Sequence, residues 1–270
     1  MDKHIYHTDK GDITYWLERK QPRRPTLVFL PGLTADHRLF DAQTAYFAEN
    51  NNVLTWDAPG HGESRPFDLK HTLPEQAAWL HGILEREGIE RPVLVGQSMG
   101  GYVSQCYMDE YPGTVAGFVS IDSAPLKRGY VTAAELWLID NIGPVYRAYP
   151  WKRLRKDGAK GCAESEHGRS LMYSFMESYS RKEYCELAAR GYAMLAAAYR
   201  AGRMYKIDCP ALLICGEKDR AGSTKRYNRK WAEKEGLELV WISDAGHNSN
   251  TDRPELVNHI IEDFLRRYQL

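Results

Sequence analysis

The chain has 270 residues, with 36 Lys or Arg against 36 Asp or Glu, so its formal charge is zero. That length suits one large α/β domain or two small ones, enough to bury a full core, and 43% hydrophobic against 27% charged residues argues against a disordered chain. Balanced charge gives no support to nucleic-acid or anionic-membrane binding, and no apolar run approaches the roughly 18 residues of a membrane span.

The start, Met1-Asp2-Lys3-His4-Ile5-Tyr6-His7, lacks the apolar stretch of a signal peptide. The five cysteines (Cys106, Cys162, Cys185, Cys209 and Cys215) are scattered and form no C-x-x-C pair, which excludes a sequence-evident zinc site or disulfide scaffold. The expectation is a reduced, cytoplasmic protein without metal or cofactor.

In chain order, two short runs rich in β-branched and aromatic residues come first, at 13–17 and 26–30, with a Pro- and Arg-containing turn between them. Further apolar runs follow at 53–56, 92–96, 115–121, 211–215 and 237–242. They are nearly continuous rather than alternating, the pattern of strands buried on both faces of a parallel sheet. Helical patterns lie between them at 40–50, 73–88, 99–111, 223–235 and 254–268. The alternation predicts a parallel α/β sheet with right-handed crossovers. From 124 to 206 the rhythm breaks: no strand pattern is present, only Tyr-, Met- and Ala-rich helical segments, read as an insertion after the strand ending at Ile121.

The most informative string is Gly96-Gln97-Ser98-Met99-Gly100. Such a string alone is weak, but this one closes an apolar strand and opens a helix. A nucleophilic serine on a sharp strand-to-helix turn needs small residues two positions either side. Ser98 is therefore the expected nucleophile, and the N–H of Met99, at the helix start, faces a developing oxyanion. The second donor is expected from Leu33, because Gly32 lets the backbone turn just after the 26–30 run.

A serine needs a base. His247 follows the last strand and precedes the last helix, at the same sheet edge as Ser98; His37 and His61, on loops after other strands, compete with it. The acid that orients the imidazole is expected at Asp219, just beyond the penultimate strand, with Asp122 as the alternative from the same edge. The order Ser98…Asp219…His247 is that of one hydrolase architecture.

Together with Pro31-Gly32 and Asp57-Ala58-Pro59-Gly60-His61-Gly62, these residues resemble the α/β-hydrolase superfamily from about residue 26 to the end. The resemblance implies an α/β-hydrolase fold, an eight-stranded, mostly parallel sheet with one antiparallel strand and a helical cap inserted after the sixth. On it, 1–123 and 207–270 make the core domain and 124–206 the cap, and His61 belongs to a structural turn. Serine at position 98 disfavours the haloalkane dehalogenase and epoxide hydrolase branches. Asn248 replaces the Trp usual in carbon–carbon bond hydrolases of this fold. The implied activity is hydrolysis of a small-molecule carboxylic ester through an acyl-enzyme; carbon–carbon bond or thioester hydrolysis by the same residues, and a non-catalytic small-molecule receptor, are the alternatives.

The 124–206 segment holds 9 of the 17 tyrosines and 4 of the 7 methionines, which would line a substrate pocket or form the segment's own small core. It also carries 15 Lys or Arg against 8 Asp or Glu, so the zero net charge is a cancellation between a basic insertion and an acidic remainder. That balance predicts attraction between the two parts. The run Trp151-Lys152-Arg153-Leu154-Arg155-Lys156 is read first as a solvated helix face and second as an attractor of acidic substrates.

Overall fold

The strand nearest the start of the chain is one that the apolar runs did not reveal: β1 (Asp2–Thr8). The computed structural model describes residues 1–21 and 24–270; Pro22 and Arg23, in the expected turn, lie outside the described residues. The seven apolar runs form β2 (Gly11–Glu18), β3 (Thr26–Leu30), β4 (Asn52–Trp56), β5 (Val93–Gln97), β6 (Gly117–Ile121), β7 (Ala211–Gly216) and β8 (Glu238–Ile242). Among the described residues the sheet has eight strands, in the order β1-β2-β4-β3-β5-β6-β7-β8. Only β2 runs against its neighbours.

The strands from β3 to β7 are buried along their whole length, which explains their unbroken apolar sequences. Alternate residues serve opposite faces. Val28, Leu54, Leu94 and Phe118 pack with Leu80, Val103 and Trp231 from α2 (Leu73–Arg86), α3 (Met99–Glu110) and α9 (Thr224–Glu235). Leu27, Phe29, Val53 and Val95 pack with Phe47 and Phe264 from α1 (Asp41–Phe47) and α11 (Pro254–Tyr268). β1 pairs only with β2 and stays half exposed, so its polar Asp2, Lys3, His4 and His7 suit an edge and hide the strand from a search for apolar runs.

Between β6 and β7 the chain forms α4 (Ala133–Asp140), α5 (Gly143–Ala148), α6 (Trp151–Cys162), α7 (Glu166–Glu177) and α8 (Arg181–Arg200), with no strand. Met176, Tyr179, Tyr184 and Leu187 of this segment cluster with its Tyr146 and Trp151, and Leu69 of the preceding chain packs against them. On α6 the basic run leaves Lys152, Arg153 and Lys156 exposed, whereas Arg155 lies over the rings of Trp151 and Tyr173 and pairs with Glu177 at 3.2 Å. Ion pairs to the rest of the chain run both ways. Lys127 and Arg203 reach Glu235 at 2.7 Å and Glu110 at 2.8 Å, while Arg220 reaches Glu164 at 3.7 Å and Arg226 binds Glu135. The seam is therefore stitched with both signs, and such partly exposed pairs contribute about 0.2–1 kcal/mol each. No described helix is long and apolar enough to cross a membrane.

Candidate active site

Ser98 stands between β5 and α3 with φ 49° and ψ −113°, a conformation rare for a residue with a Cβ. Its backbone is pinned from the next strand: Ser98 N–H donates to the Ile121 carbonyl at 2.9 Å, and Ser123 Oγ–H donates to the Ser98 carbonyl at 2.7 Å. A Cβ at Gly96 would meet the Gly100 backbone at 2.5 Å, and one at Gly100 would meet the Leu30 carbonyl oxygen at 1.8 Å. Both glycines are thus needed to bring the start of α3 against β5 and β3.

His247 lies on the loop after β8, before the short helix α10 (Ser249–Asp252). Its Nε2 is 2.8 Å from Ser98 Oγ and its Nδ1 2.9 Å from Asp219 Oδ2. The other Asp219 oxygen accepts the Ala221 N–H at 2.7 Å, which fixes the carboxylate in a buried site. Because the carboxylate accepts, the imidazole proton belongs on Nδ1, leaving Nε2 to accept from the serine hydroxyl. The structure brings Ser98, His247 and Asp219 together in one hydrogen-bonded chain.

Burial works against a charged His247, but the attraction of Asp219, with Asp122 behind it, outweighs burial and raises its pKa above the ordinary 6.5. A base must be neutral to take the serine proton. Ester kcat/KM should therefore rise with pH through an apparent pKa above 6.5. A pH–rate profile with its acid limb well below that value would contradict His247 as the base.

The alternative acid does not reach the imidazole. Asp122 Oδ1 accepts the Gly216 N–H at 2.7 Å, and Oδ2 accepts the Ser249 N–H at 2.8 Å and its hydroxyl at 2.6 Å. Burial first and the nearby Asp219 second push its carboxyl upward. Asp122 thus ties the end of β7 to the residues following His247. The competing histidines are engaged elsewhere: His37 Nδ1 lies 2.8 Å from Asp57, and His61 Nδ1 lies 3.1 Å from the Pro59 carbonyl.

The loop carrying Leu33 packs against the turn at Ser98. A Cβ at Gly32 would come within 2.3 Å of Gln97 Oε1 and 3.1 Å of Ser98 Cβ, so the backbone there runs directly against the serine. Among the described residues, no protein acceptor takes the N–H of Leu33 or Met99. From above, α8 seats a glycine on this loop: a Cβ at Gly191 would be 2.3 Å from Leu33 Cδ1. Leu33 and Met99 border a cavity to which α8 contributes Leu187, Arg190, Gly191 and Met194, and none of the tyrosines of 124–206 lines it.

Several positioning residues escape a sequence reading. Gln97 Nε2 donates to the His247 carbonyl at 2.8 Å and to Asn248 Oδ1 at 3.2 Å. Asp252 accepts the Gly246 N–H at 2.8 Å and the Glu164 and Ser165 N–H groups at 2.9 and 2.8 Å. Asn248 N–H donates to the Cys162 carbonyl at 2.8 Å. The histidine loop is consequently moored both to the strand carrying the serine and to the α6–α7 link. The one available signal was a polar Gln97 closing an otherwise apolar strand.

Two acidic clusters, Asp36–His37–Asp57 and Asp122–Cys215–Asp219, have ligand-type atoms within 4.8 Å of one another. The oxygens of Asp57, Asp122 and Asp219 already accept hydrogen bonds from the protein, and burial pushes the Cys215 thiol well up. A cation would have to displace those donors. The clusters are better suited to hold loops than a metal.

A model of the Alpha/beta hydrolase family matches residues 27–260. An uncharacterized hydrolase, YugF, from Bacillus subtilis (strain 168) is 27% identical over 268 residues, covering 96% of each chain. A 3-oxoadipate enol-lactonase 2 from Acinetobacter baylyi is 23% identical, covering 92% of this chain and 91% of the relative. Among solved structures, a hydrolase from Pseudomonas aeruginosa PA01 superposes with a TM-score of 0.82 at 18% identity, covering 98% of both chains. With the family model spanning the six strands from β3 to β8 and the helices between them, well over half of the chain, the chain belongs to the alpha/beta hydrolase family.

Proposed function

We propose that the protein hydrolyses small carboxylic esters, open-chain or cyclic, through an acyl-enzyme on Ser98. The observation that carries this reading is the relay Asp219–His247–Ser98, at 2.9 and 2.8 Å, beside two N–H groups with no protein acceptor among the described residues. His247 removes the Ser98 proton as Oγ attacks the carbonyl, and the imidazolium is stabilised by Asp219. The oxyanion is received by the N–H groups of Leu33 and Met99; losing one such donor costs about 2.7–4 kcal/mol of barrier. His247 then protonates the leaving alcohol and activates the water that frees the acid. Lactones are cyclic esters, so the lactonase named among the relatives is consistent with this chemistry.

In this reading 124–206 is a cap over the core made by 1–123 and 207–270. Support comes from α8 resting on the Leu33 loop and from the α6–α7 link bonding to the histidine loop. A pure binding protein has no need for an assembled relay. The test is labelling with a fluorophosphonate, located by peptide mass spectrometry, alongside turnover of activated esters. The label should sit on Ser98, and Ser98→Ala should abolish it and lower kcat by about five to six orders of magnitude. Full ester turnover by that variant would refute the reading.

A further inference from the structure

Ten buried side-chain polar atoms have no protein partner among the described residues, and three belong to residues lining the cavity beside Leu33 and Met99: Trp56 Nε1, His61 Nε2 and Gln76 Oε1. All three residues are at least 96% buried, at 1%, 4% and 3% exposure. The cavity measures about 20 Å³, room for a single water-sized group rather than a long chain. Its walls are otherwise largely apolar, with Val103 and Met194 among them.

Neighbouring hydrogen bonds fix what each atom offers. The Asp68 carbonyl accepts from His71 Nδ1–H at 3.1 Å, so His71 Nε2 is an acceptor; Gln76 turns its NH₂ toward it at 2.9 Å and keeps Oε1 bare. The Pro59 carbonyl likewise holds the proton on His61 Nδ1, leaving Nε2 bare. Burial pushes the His61 pKa down to about 4, so this ring stays neutral through the working range. Trp56 supplies an N–H. Residues lining the cavity therefore hold one unpaired donor and two unpaired acceptors.

We infer that this cavity reads a hydroxyl group on the substrate: its oxygen accepts from Trp56 Nε1–H, and its proton goes to His61 Nε2 or Gln76 Oε1. A methyl group leaves every one of these atoms unpaired. A carbonyl satisfies only Trp56, an ammonium cannot accept from it, and a carboxylate meets two lone pairs. A buried water pairs all three atoms and a substrate hydroxyl pairs two of them, so the hydroxyl displaces the water at the loss of one hydrogen bond while a methyl loses all three. The inference rests on the serine-hydrolase reading of the adjoining residues and adds the substrate class to it.

The experiment compares ester pairs that end in CH₃ or OH. The chain is lengthened one carbon at a time, on the acyl side in one series and on the alcohol side in another. At one length the hydroxy ester should exceed its methyl partner in kcat/KM by about tenfold or more. Trp56→Phe and Gln76→Leu, checked for folding by thermal melting, should each bring that ratio toward one. Protection of Ser98 from fluorophosphonate, compared within each pair, gives the same ratio for esters that bind without turnover. A ratio of one or less at every length while Ser98 still labels overturns the inference, as does a ratio unchanged in both folded variants. Failure of Ser98 to label, with no ester turned over, overturns the serine-hydrolase reading instead.

Discussion

Asp219→Asn should lower kcat by about 10⁴-fold with little change in KM, since this buried residue touches the imidazole and not the substrate. The cause lies in the two bonds that the carboxylate accepts, from His247 Nδ1–H at 2.9 Å and from the Ala221 N–H at 2.7 Å. An asparagine has one oxygen for two donors. If that oxygen stays on Ala221, the amide NH₂ faces Nδ1 and drives the imidazole proton to Nε2, where it can no longer accept from Ser98. If the amide flips, an N–H collides with the N–H of Ala221. Asp122→Asn is the informative comparison. Asp122 bonds Gly216 and Ser249 but not His247, so its replacement should lower the melting temperature while kcat falls by about tenfold at most. Steady-state kinetics and melting curves on the two variants separate the roles, and equal losses of kcat would mean that the acid has been misassigned.

The sheet was legible where its strands are covered on both faces, because burial on two sides leaves an unbroken apolar run such as Leu27-Val28-Phe29-Leu30. β1 was not, since an edge strand needs apolar residues at most on one side and here carries Asp2, Lys3, His4 and His7. The same distinction separates the parts of the site. Ser98 announces itself through glycines that are there for steric reasons, and the close approaches at Gly96 and Gly100 are those reasons. Gln97, Asp252 and Asn248 could not be read in this way. Their work is to bond backbone groups of segments distant in sequence, such as Asp252 with Glu164 and Ser165, and no side-chain pattern records where a backbone N–H will point. Composition at 124–206 left two readings open, a pocket lining or the segment's own small core, and packing decides between them. Four of the segment's tyrosines, Tyr146, Tyr179, Tyr184 and Tyr192, pack on one another, and the cavity is finished by Leu187, Gly191 and Met194 of α8. Trp56, His61 and Gln76 also line that cavity, each unremarkable in its own stretch and informative only because each holds a buried polar atom without a partner.

Gly100→Ala should be among the most destabilising single-methyl additions this fold can receive, costing about 4 kcal/mol or more. The added Cβ would lie 1.8 Å from the Leu30 carbonyl oxygen and 2.5 Å from its carbon. Those atoms are backbone of a strand bonded on both sides, to β4 and β5, so no side-chain rotation relieves the overlap. Either α3 lifts from the sheet or β3 leaves its register, and both routes break the turn that holds Ser98 at φ 49°. Against a total stability of about 5–15 kcal/mol, the melting temperature should fall by roughly 10 °C or the variant should fail to fold. Gly161→Ala is the control. It sits in α6 with nothing within 4 Å of the new methyl, so the better helix propensity of alanine should stabilise the protein by about 0.5–1 kcal/mol. The same chemical change is thus expected to have opposite signs at the two positions. A Gly100→Ala protein that melts with the wild type would show that α3 does not press on β3 as described. The strained turn at Ser98 would then lack the support that its proposed role as nucleophile requires.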